Sequence, residues 1–586
     1  MQVLLLLVLT GSLPASLAQL PSAPELAAAT SYTGCPPDGP LLPRPTDLAN
    51  AEYIQDAASN LSESLDAAVK GEIKAGWIVE NVSFSLALVS PYGADGEDYN
   101  VKPFWEYHYR GENNEQGAKK VDGDSQYLIG SVSKVFSDLM VLKSGVDLRS
   151  PVTAFFPQLA SDNFYEFYFL NSFQESLGLP HLNDSDYPDC GVSRLNKLIQ
   201  NFLSKEQVVP VNSRPVYSQL SFTLFTLCLE AYNGKNYSQL LQETIYKPLN
   251  LVSSGVSPGD TERAVVPPGI SQWGSDYGFN APGGGLYSST NDISKLLSAT
   301  LNKSVLDTPA NVRHWLKPRS TTSSLNTLVG RPWEILRTTD LLPPKHAHTI
   351  DIYGKSGGAM GYMAQIAAID QYSVGLAVLT AGPVDSASIL YHAVLSTSLP
   401  AIEEEARARS RRYVGSWTSH LNYTAMSRGE ANDGTSKVEE TRLTLTLDNG
   451  PGLKLTSLTH GNASIIPAIR TSRAAKFLPL GFGVLPDEDF RIYPSEVETP
   501  VPDLEKNIKL IRQKWRINLD IAPIDSSASD LPGQDKVTQY CESWLMVDWM
   551  TYGGFAFDKI VFVLVEGRGD VLGVEVPALR GGLFGR

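Results

Sequence analysis

The chain has 586 residues, of which 42% are hydrophobic and 19% are charged, a balance typical of a globular protein large enough for two or more domains. Its net charge of −15 argues against nucleic acid or an anionic membrane as a partner, because phosphate groups are bound by clustered Lys and Arg. Composition and charge therefore leave globular enzymes, binding proteins and scaffolds as the classes to consider.

The N-terminus has the pattern of a secretory signal peptide. An apolar run occupies residues 3–10 and small residues at Ser16 and Ala18 suit a cleavage site, so residues 1–18 are predicted to be removed on export. Residues 19–45, rich in Pro, Ala and Ser, are predicted to form an extended leader. No later apolar run is long enough to cross a bilayer, so we expect a secreted protein without a membrane span.

Asn-x-Ser/Thr acceptors and an even number of cysteines agree with export. The acceptors together predict a glycoprotein, and they are Asn60, Asn81, Asn183, Asn236, Asn302, Asn422 and Asn462. The four cysteines are compatible with one or two disulfide bonds in an oxidising compartment, and they are Cys35, Cys190, Cys228 and Cys541. Cys228 lies in an apolar helical stretch, so a buried free thiol is an equal alternative for it.

The first predicted elements are one helix and two strands. Apolar and small residues at helical spacing predict a helix over 49–73. Residues 82–89 alternate in the manner of a strand, and residues 104–109 are predicted to be its hairpin partner.

A serine and a lysine follow near the start of the next predicted helix. Apolar residues recur at helical spacing after Lys134, and Gly145 stands where a C-cap is expected, so Ser131 is predicted to lie in the first turn of an amphipathic helix. Ser131 and Lys134 are three residues apart and therefore lie on one face, one turn apart. A helix N-terminus also supplies N–H groups and positive charge that stabilise an oxyanion. The segment predicts an activated serine nucleophile.

Three later segments carry further candidate groups. Tyr217-Ser218-Gln219 precedes a long apolar helix, and a tyrosine beside one or two lysines can act as a general base when its pKa is lowered. Lys355-Ser356-Gly357-Gly358 opens onto a strand, where the lysine can hold an anionic substrate group and the glycines leave a backbone N–H as an oxyanion donor. A glycine-rich turn over 281–289 leads into a helix over 292–301.

The character of the chain changes after residue 400. Strands over 363–369 and 374–379 return to the sheet begun at 82–89, so a first domain over 46–405 is built from both ends with helices inserted between. The charged segment 403–409 is predicted to be a short linker. Repeated short strands within 410–586 predict a separate β-rich domain in the form of a small barrel. The fold class is therefore α/β, in the broad sense that includes α+β.

In this order the motifs resemble those of the serine β-lactamase and penicillin-binding-protein-like family, specifically its class C-like branch of β-lactamases, esterases and transesterases. The resemblance covers residues 50–400 and rests on Ser131-x-x-Lys134, Tyr217-Ser218-Gln219, the glycine-rich turn and Lys355-Ser356-Gly357. Residues 413–417 also look like the start of the barrel that follows the catalytic domain in many such proteins. The fold it implies is a β-lactamase/transpeptidase-like sheet with an inserted helical subdomain.

The resemblance also implies a role for each motif residue. Ser131 would be the acylated nucleophile, Lys134 the neighbour that accepts or relays its proton, and Tyr217 the partner base that also serves the leaving group. The groups implied to bind substrate are Gln219, Lys355 and Ser356. The backbone N–H groups of Gly358 and Ser131 would together form an oxyanion hole.

The predicted function is that of a secreted serine hydrolase that forms an acyl-enzyme on Ser131 and cleaves an ester or amide of a small molecule, with no cofactor. No Glu-x-x-Leu-Asn segment is present, which favours a tyrosine-based route. Gln219 stands where the family usually has Asn, so β-lactam cleavage is not favoured. Two alternatives stay open: acyl transfer to an acceptor other than water, and a secreted binding or scaffold protein whose activity has decayed. The aromatic run over 163–171, which replaces a turn common in the family, is the feature that permits the second.

Two other kinds of site are disfavoured by the sequence. His346-x-His348 is the only close histidine pair and has no Cys or carboxylate at ligand spacing, so no metal is predicted. Gly-x-Ser-x-Gly occurs at 255–259 and 354–358, but the first copy contains Pro258 and the second runs into a strand. Neither offers the strand-to-helix elbow of a Ser-His-Asp hydrolase.

Overall fold

The computed structural model describes residues 35–92, 101–157, 208–210, 213–419, 440–477, 479, 482–483, 489–502, 509–519, 522–523, 543–567, 569–579 and 583–585. The signal peptide, the aromatic run at 163–171, and Asn183, Asn422, Cys190 and Cys541 lie outside these residues. Two compact units are present: residues 43–409 form one, and residues 35–42 belong to the other together with 410 onwards. They are referred to below as the serine unit and the barrel unit.

An antiparallel sheet of eight strands forms the centre of the serine unit. Its order is β2-β1-β11-β10-β9-β8-β7-β6, and the strands are β1 (Ser83–Val89), β2 (Trp105–Tyr109), β6 (Ser320–Thr321), β7 (Thr327–Val329), β8 (Glu334–Thr338), β9 (Ile350–Ala359), β10 (Tyr362–Ile369) and β11 (Val374–Ala381). A small second sheet contains β3 (Tyr127–Leu128), β5 (Leu286–Ser288) and β4 (Gly255–Val256). The expectation that the first and last strands of this unit share one sheet is confirmed.

Helices precede, separate and follow these strands. They are α1 (Glu52–Val69), α2 (Ser133–Lys143), α3 (Leu220–Asn233), α4 (Tyr237–Leu241), α5 (Ala281–Gly284), α6 (Thr290–Leu301), α7 (Pro309–Leu316) and α8 (Asp385–Ser410). Helix α6 packs closely on the sheet, because Gly375 of β11 has no side chain and a Cβ there would lie 2.9 Å from Leu297 Cβ. The described helices include none that is long and apolar enough to cross a bilayer.

The alternation seen in β1 does not mark a solvent-exposed face. All seven residues of the strand are buried, and the polar members are satisfied internally. Ser85 Oγ lies 2.9 Å from the Tyr127 hydroxyl and 2.9 Å from His108 Nδ1. The polar residues of the pattern are therefore hydrogen-bonded inside the protein, since buried hydroxyls need partners.

The serine-bearing helix is also more buried than the sequence predicts. A single 3₁₀ turn (Gly130–Val132) runs directly into α2, and residues 133–141 of that helix are all buried. The prediction of an amphipathic helix is wrong, because α2 is surrounded by other elements of the unit instead of lying on its surface. Gly145, with φ +74°, follows the C-cap Ser144 in the left-handed conformation that commonly ends a helix.

The charged segment 403–409 is helical, so its prediction as a linker is wrong. Residues Asp385–Ser410 form the continuous helix α8. Ion pairs four residues apart, Glu403 with Arg407 and Glu405 with Arg409, bridge successive turns in this segment and support the helical conformation.

The barrel unit contains a closed ring of eight antiparallel strands. Strand order is β13-β12-β19-β18-β17-β16-β15-β14, and β13 pairs with β14 to close the ring. The strands are β12 (Gly415–Ser419), β13 (Thr441–Thr446), β14 (Leu453–His460), β15 (Arg491–Pro502), β16 (Lys509–Asn518), β17 (Lys559–Val565), β18 (Val571–Glu575) and β19 (Leu583–Gly585). The expectation of a small barrel is confirmed.

A cluster of aromatic rings forms part of the barrel interior. The Phe562 ring centroid lies 4.8 Å from that of Tyr413 and 5.3 Å from that of Trp515. Trp417 is buried beside them, 6.3 Å from Phe562. Aromatic side chains bury large apolar areas, so this cluster contributes strongly to the stability of the unit.

Of the four cysteines, Cys228 is a buried free thiol on α3, which is one of the two alternatives left open by the sequence. Disulfide pairing among the other cysteines stays a prediction, because Cys190 and Cys541 are outside the described residues.

Candidate active site

Two glycine contacts hold the serine turn against strand β9. Gly130 has φ +48°, and a Cβ there would lie 2.5 Å from Gly358 N. A Cβ on Gly357 would lie only 2.1 Å from Ile129 O and 2.7 Å from Ser131 N. Both positions require glycine, since no side chain fits between backbones this close. The turn and the strand thus meet through main-chain atoms, and Ser131 is fixed beside β9.

Lys134 lies one helical turn after Ser131 and is almost completely buried. Its side chain points at three oxygens: Nζ donates to Ser131 Oγ at 3.0 Å, to Gly283 O at 2.5 Å and to Gln219 Oε1. An ammonium has three N–H groups for these three acceptors, whereas a neutral amine has two. The geometry therefore fits a protonated Lys134 that polarises the serine oxygen.

Tyr217 completes the surroundings of the serine. Its hydroxyl donates to Ser131 Oγ at 2.7 Å. Lys134 Nζ lies 4.8 Å and Lys355 Nζ 5.3 Å from the centroid of its ring. Two cations beside one phenol stabilise negative charge on that group. Tyr217 is 47% exposed, so a molecule from solvent can reach it.

Lys355 and Ser356 of β9 both contact Glu334. Lys355 Nζ pairs with Glu334 Oε1 and also donates to Ser356 O at 2.7 Å. Ser356 donates to Glu334 Oε2 through its N–H at 3.0 Å and its hydroxyl at 2.8 Å. Burial lowers the pKa of Lys355 below its usual value, even though the neighbouring carboxylate acts in the opposite direction.

Strand alternation directs one further N–H toward the serine turn. Successive N–H groups of a strand point to opposite sides, so Gly358 N–H points the same way as Ser356 N–H, away from β10. Strand β8, which pairs with β9 up to Gly354, does not extend that far. The N–H of Gly358 thus faces Gly130 and lies near that of Ser131, an arrangement that suits two donors for one oxyanion.

The structure brings together the predicted residues Ser131, Lys134, Tyr217, Gln219, Lys355, Ser356 and Gly358. Gln219, predicted to contact substrate, has its amide oxygen on Lys134. Two contributors were absent from the predicted set. Gly283 contributes its carbonyl, and the glycine-rich turn that contains it was the available signal. Glu334 stands 21 residues before Lys355 with no motif around it, so no sequence signal marked it.

In the described part of the chain, the histidine pair and the serines of the two Gly-x-Ser-x-Gly segments have contacts of their own. The described residues contain no group of three or more His, Cys, Asp or Glu that could hold a metal ion. His348 is buried, with Nε2 3.3 Å from the Tyr372 hydroxyl, and burial lowers its pKa. Ser257, the serine of the first Gly-x-Ser-x-Gly, donates to Ser275 O, and Ser356 of the second lies inside β9. Neither serine lies on a strand-to-helix elbow.

Comparisons with known proteins cover both units. A family model described as "Beta-lactamase" matches residues 101–398, and one described as "Beta-lactamase-like-like, C-terminal domain" matches residues 405–585. A "Beta-lactamase-like protein" of Arthroderma benhamiae is 47% identical over 591 residues, covering 94% of this chain and 96% of that protein. The "Probable hydrolase clz13" of Cochliobolus lunatus is 25% identical over 361 residues, covering 61% of this chain and 53% of that protein.

The chain is also similar to a solved structure of a class C beta-lactamase mutant. The match covers 60% of this chain and 99% of that protein's chain, with 17% sequence identity and a TM-score of 0.42.

Proposed function

This chain belongs to the serine beta-lactamase-like family, and we propose that it is a serine hydrolase that forms an acyl-enzyme on Ser131 and cleaves an ester or amide of a small molecule. One observation carries the proposal: Ser131 Oγ lies 3.0 Å from Lys134 Nζ and 2.7 Å from the Tyr217 hydroxyl. These distances are within the reach required for proton transfer to or from a nucleophile. A serine with only a structural role does not need two such partners.

Acylation follows from these contacts. Tyr217 reacts in its ionised form, so that the 2.7 Å contact reverses and Ser131 donates its proton to the phenolate. Ser131 Oγ then bonds to the carbonyl carbon of the substrate, while Lys134 stabilises the serine oxygen through its N–H. The backbone N–H groups of Ser131 and Gly358 hold the oxyanion. The bond to the leaving group breaks as Tyr217 returns the proton to the leaving oxygen or nitrogen.

Deacylation repeats these steps with water. Tyr217 takes a proton from a water molecule, the hydroxide oxygen bonds to the acyl carbon, and the acyl–Oγ bond breaks as Ser131 recovers its proton. The exposure of Tyr217 supports water access. The same exposure admits an alcohol or amine, so acyl transfer is the second candidate function.

Active-site labelling tests the proposal. Wild type and the variant Ser131→Ala are incubated with a fluorophosphonate ester or a penicillin, and the intact mass is read. We expect one adduct on wild type and none on Ser131→Ala, with Ser150→Ala, a change at an exposed serine, labelled like wild type. Absence of any adduct on folded wild type would remove the enzyme hypothesis and favour a decayed scaffold. Adding an alcohol during ester turnover and identifying the products separates hydrolysis from transfer.

We also propose export and glycosylation. Among the acceptor asparagines in the described residues, Asn60, Asn236, Asn302 and Asn462 are exposed, as attachment of a glycan requires. Expression in a eukaryotic host should place the protein in the medium with its first residues removed. Treatment with an N-glycosidase should then lower its mass, and an unchanged mass would contradict this proposal.

A further inference from the structure

The best anion-binding donors in the candidate site are already occupied by a side chain of the protein. Lys355 Nζ, Ser356 Oγ–H and Ser356 N–H all converge on the carboxylate of Glu334. Oε1 takes the lysine and Oε2 takes both serine donors. One charged and two neutral donors around two oxygens form the kind of cluster that binds a carboxylate group from a ligand.

The position of Glu334 follows from the strand pairing. Glu334 is the first residue of β8 and pairs with Gly354 of β9. Beyond that pair β8 supplies no backbone acceptor, so Ser356 N–H faces an open edge. The Glu334 side chain reaches along this edge and provides the missing acceptor. It is therefore anchored by its own backbone in the sheet while its carboxylate lies at the site.

Charge and exposure show what the pair presents to an incoming molecule. The Lys355 side chain is 2% exposed and that of Glu334 is 46% exposed. A molecule entering from solvent thus meets the carboxylate, with the ammonium behind it. The pair is neutral as a whole, and its accessible end is negative.

Resting on the proposed function, we propose that Glu334 acts as a built-in carboxylate that fills the anion subsite of Lys355 and Ser356, so that the protein selects substrates carrying no carboxylate at that position. Uncharged esters or amides are the favoured class. Anionic analogues meet a filled subsite and a like charge, which disfavours binding.

Glu334→Gln tests this selection, because it removes the charge and keeps the shape. The matched control is Asp351→Asn, which removes a carboxylate from an ion pair with Arg337 across the same two strands. The probes are phenyl butyrate and 3-carboxyphenyl butyrate, which differ in one carboxylate on the leaving group, and phenyl hydrogen glutarate, which carries its carboxylate on the acyl group. Binding is measured by calorimetry in the Ser131→Ala background, where the esters are not consumed.

In the Ser131→Ala protein we expect the neutral ester to bind more tightly than either anionic ester. Adding Glu334→Gln should tighten binding of at least one anionic ester about 10- to 100-fold, since no carboxylate then neutralises the Lys355 charge or repels the ester, and should change neutral ester binding less than about threefold. Asp351→Asn should alter neither the binding of the anionic esters nor that of the neutral ester. Equal binding of neutral and anionic esters before the change, or no tightening after it in a folded variant, would overturn the inference.

The binding readout keeps this inference separate from the proposed function. Tightening as expected, with no ester turnover by the protein that retains Ser131, would support the subsite and refute the hydrolase. Ester turnover by the protein that retains Ser131, with no preference for neutral esters in binding, would support the hydrolase and refute the subsite. The preference measured without any change at Glu334 needs no second variant, so the test does not depend on Glu334→Gln folding.

Discussion

Replacing Tyr217 by Phe removes a single oxygen from the candidate site. That oxygen lies 2.7 Å from Ser131 Oγ, and the ring with its contacts to both lysines stays in place. General-base catalysis contributes about 10²- to 10⁴-fold to rate, so kcat/KM should fall by that factor, equivalent to about 2.7–5.4 kcal/mol of lost transition-state stabilisation. Because the side chain is 47% exposed, the free energy of unfolding should change by no more than about 0.5 kcal/mol.

The assay measures kcat/KM on a neutral aryl ester and the rate of fluorophosphonate labelling, with thermal unfolding recorded for each protein. Tyr232→Phe is the matched control, since Tyr232 is 55% exposed near the C-terminal end of α3 and its ring contacts Phe155. A Tyr217→Phe protein with activity within about threefold of wild type would refute the role of Tyr217 as base. If Lys134→Met abolished activity while Tyr217→Phe kept it, Lys134 would be assigned as the base that takes the proton of Ser131.

Three further predictions concern stability and reactivity. Burial raises the pKa of Asp138 to about 6, despite an ion pair with Arg331 at 2.9 Å. As pH rises from 4 to 7, wild type should therefore lose up to about 3 kcal/mol of unfolding free energy relative to Asp138→Asn. Urea unfolding measures this difference, and a difference that does not change with pH would contradict the prediction. Gly357→Ala would place a Cβ 2.1 Å from a backbone oxygen, so we expect destabilisation of about 1–3 kcal/mol and slower labelling of Ser131. Gly354→Ala, whose Cβ would lie 3.3 Å from a backbone oxygen, should have a smaller effect in both assays. Burial raises the pKa of the Cys228 thiol to about 11, so iodoacetamide at pH 8 should modify it only after unfolding, and rapid native labelling would refute its burial.

Much of the candidate site could be predicted because its functional residues lie within short sequence motifs. Ser131 and Lys134 are one helical turn apart in the chain, so their contact follows from helix geometry. Tyr217 is distant in sequence, and only the family resemblance placed it with them.

The features that could not be predicted depend on tertiary packing. Helix α2 has the periodicity of a surface helix, but helices α3, α4 and α5 pack against it and residues 133–141 are buried. Glu334 reaches Lys355 because β8 and β9 pair in one register, and nothing in the local sequence encodes that register. The charged segment of α8 looks like a linker by composition, yet its charges are spaced to pair along a helix.

Closure of the barrel by pairing of β13 with β14 has a consequence for association between molecules. An open sheet ends in strands whose N–H and C=O groups can recruit a strand from another chain. Within the described residues the ring of eight strands closes on itself, so neither β13 nor β14 is left as the free end of an open sheet. The sheet of the serine unit does end in strands, at β2 and at the two-residue β6. Strand-mediated aggregation of destabilised protein should therefore begin at β2, the longer of these two edges.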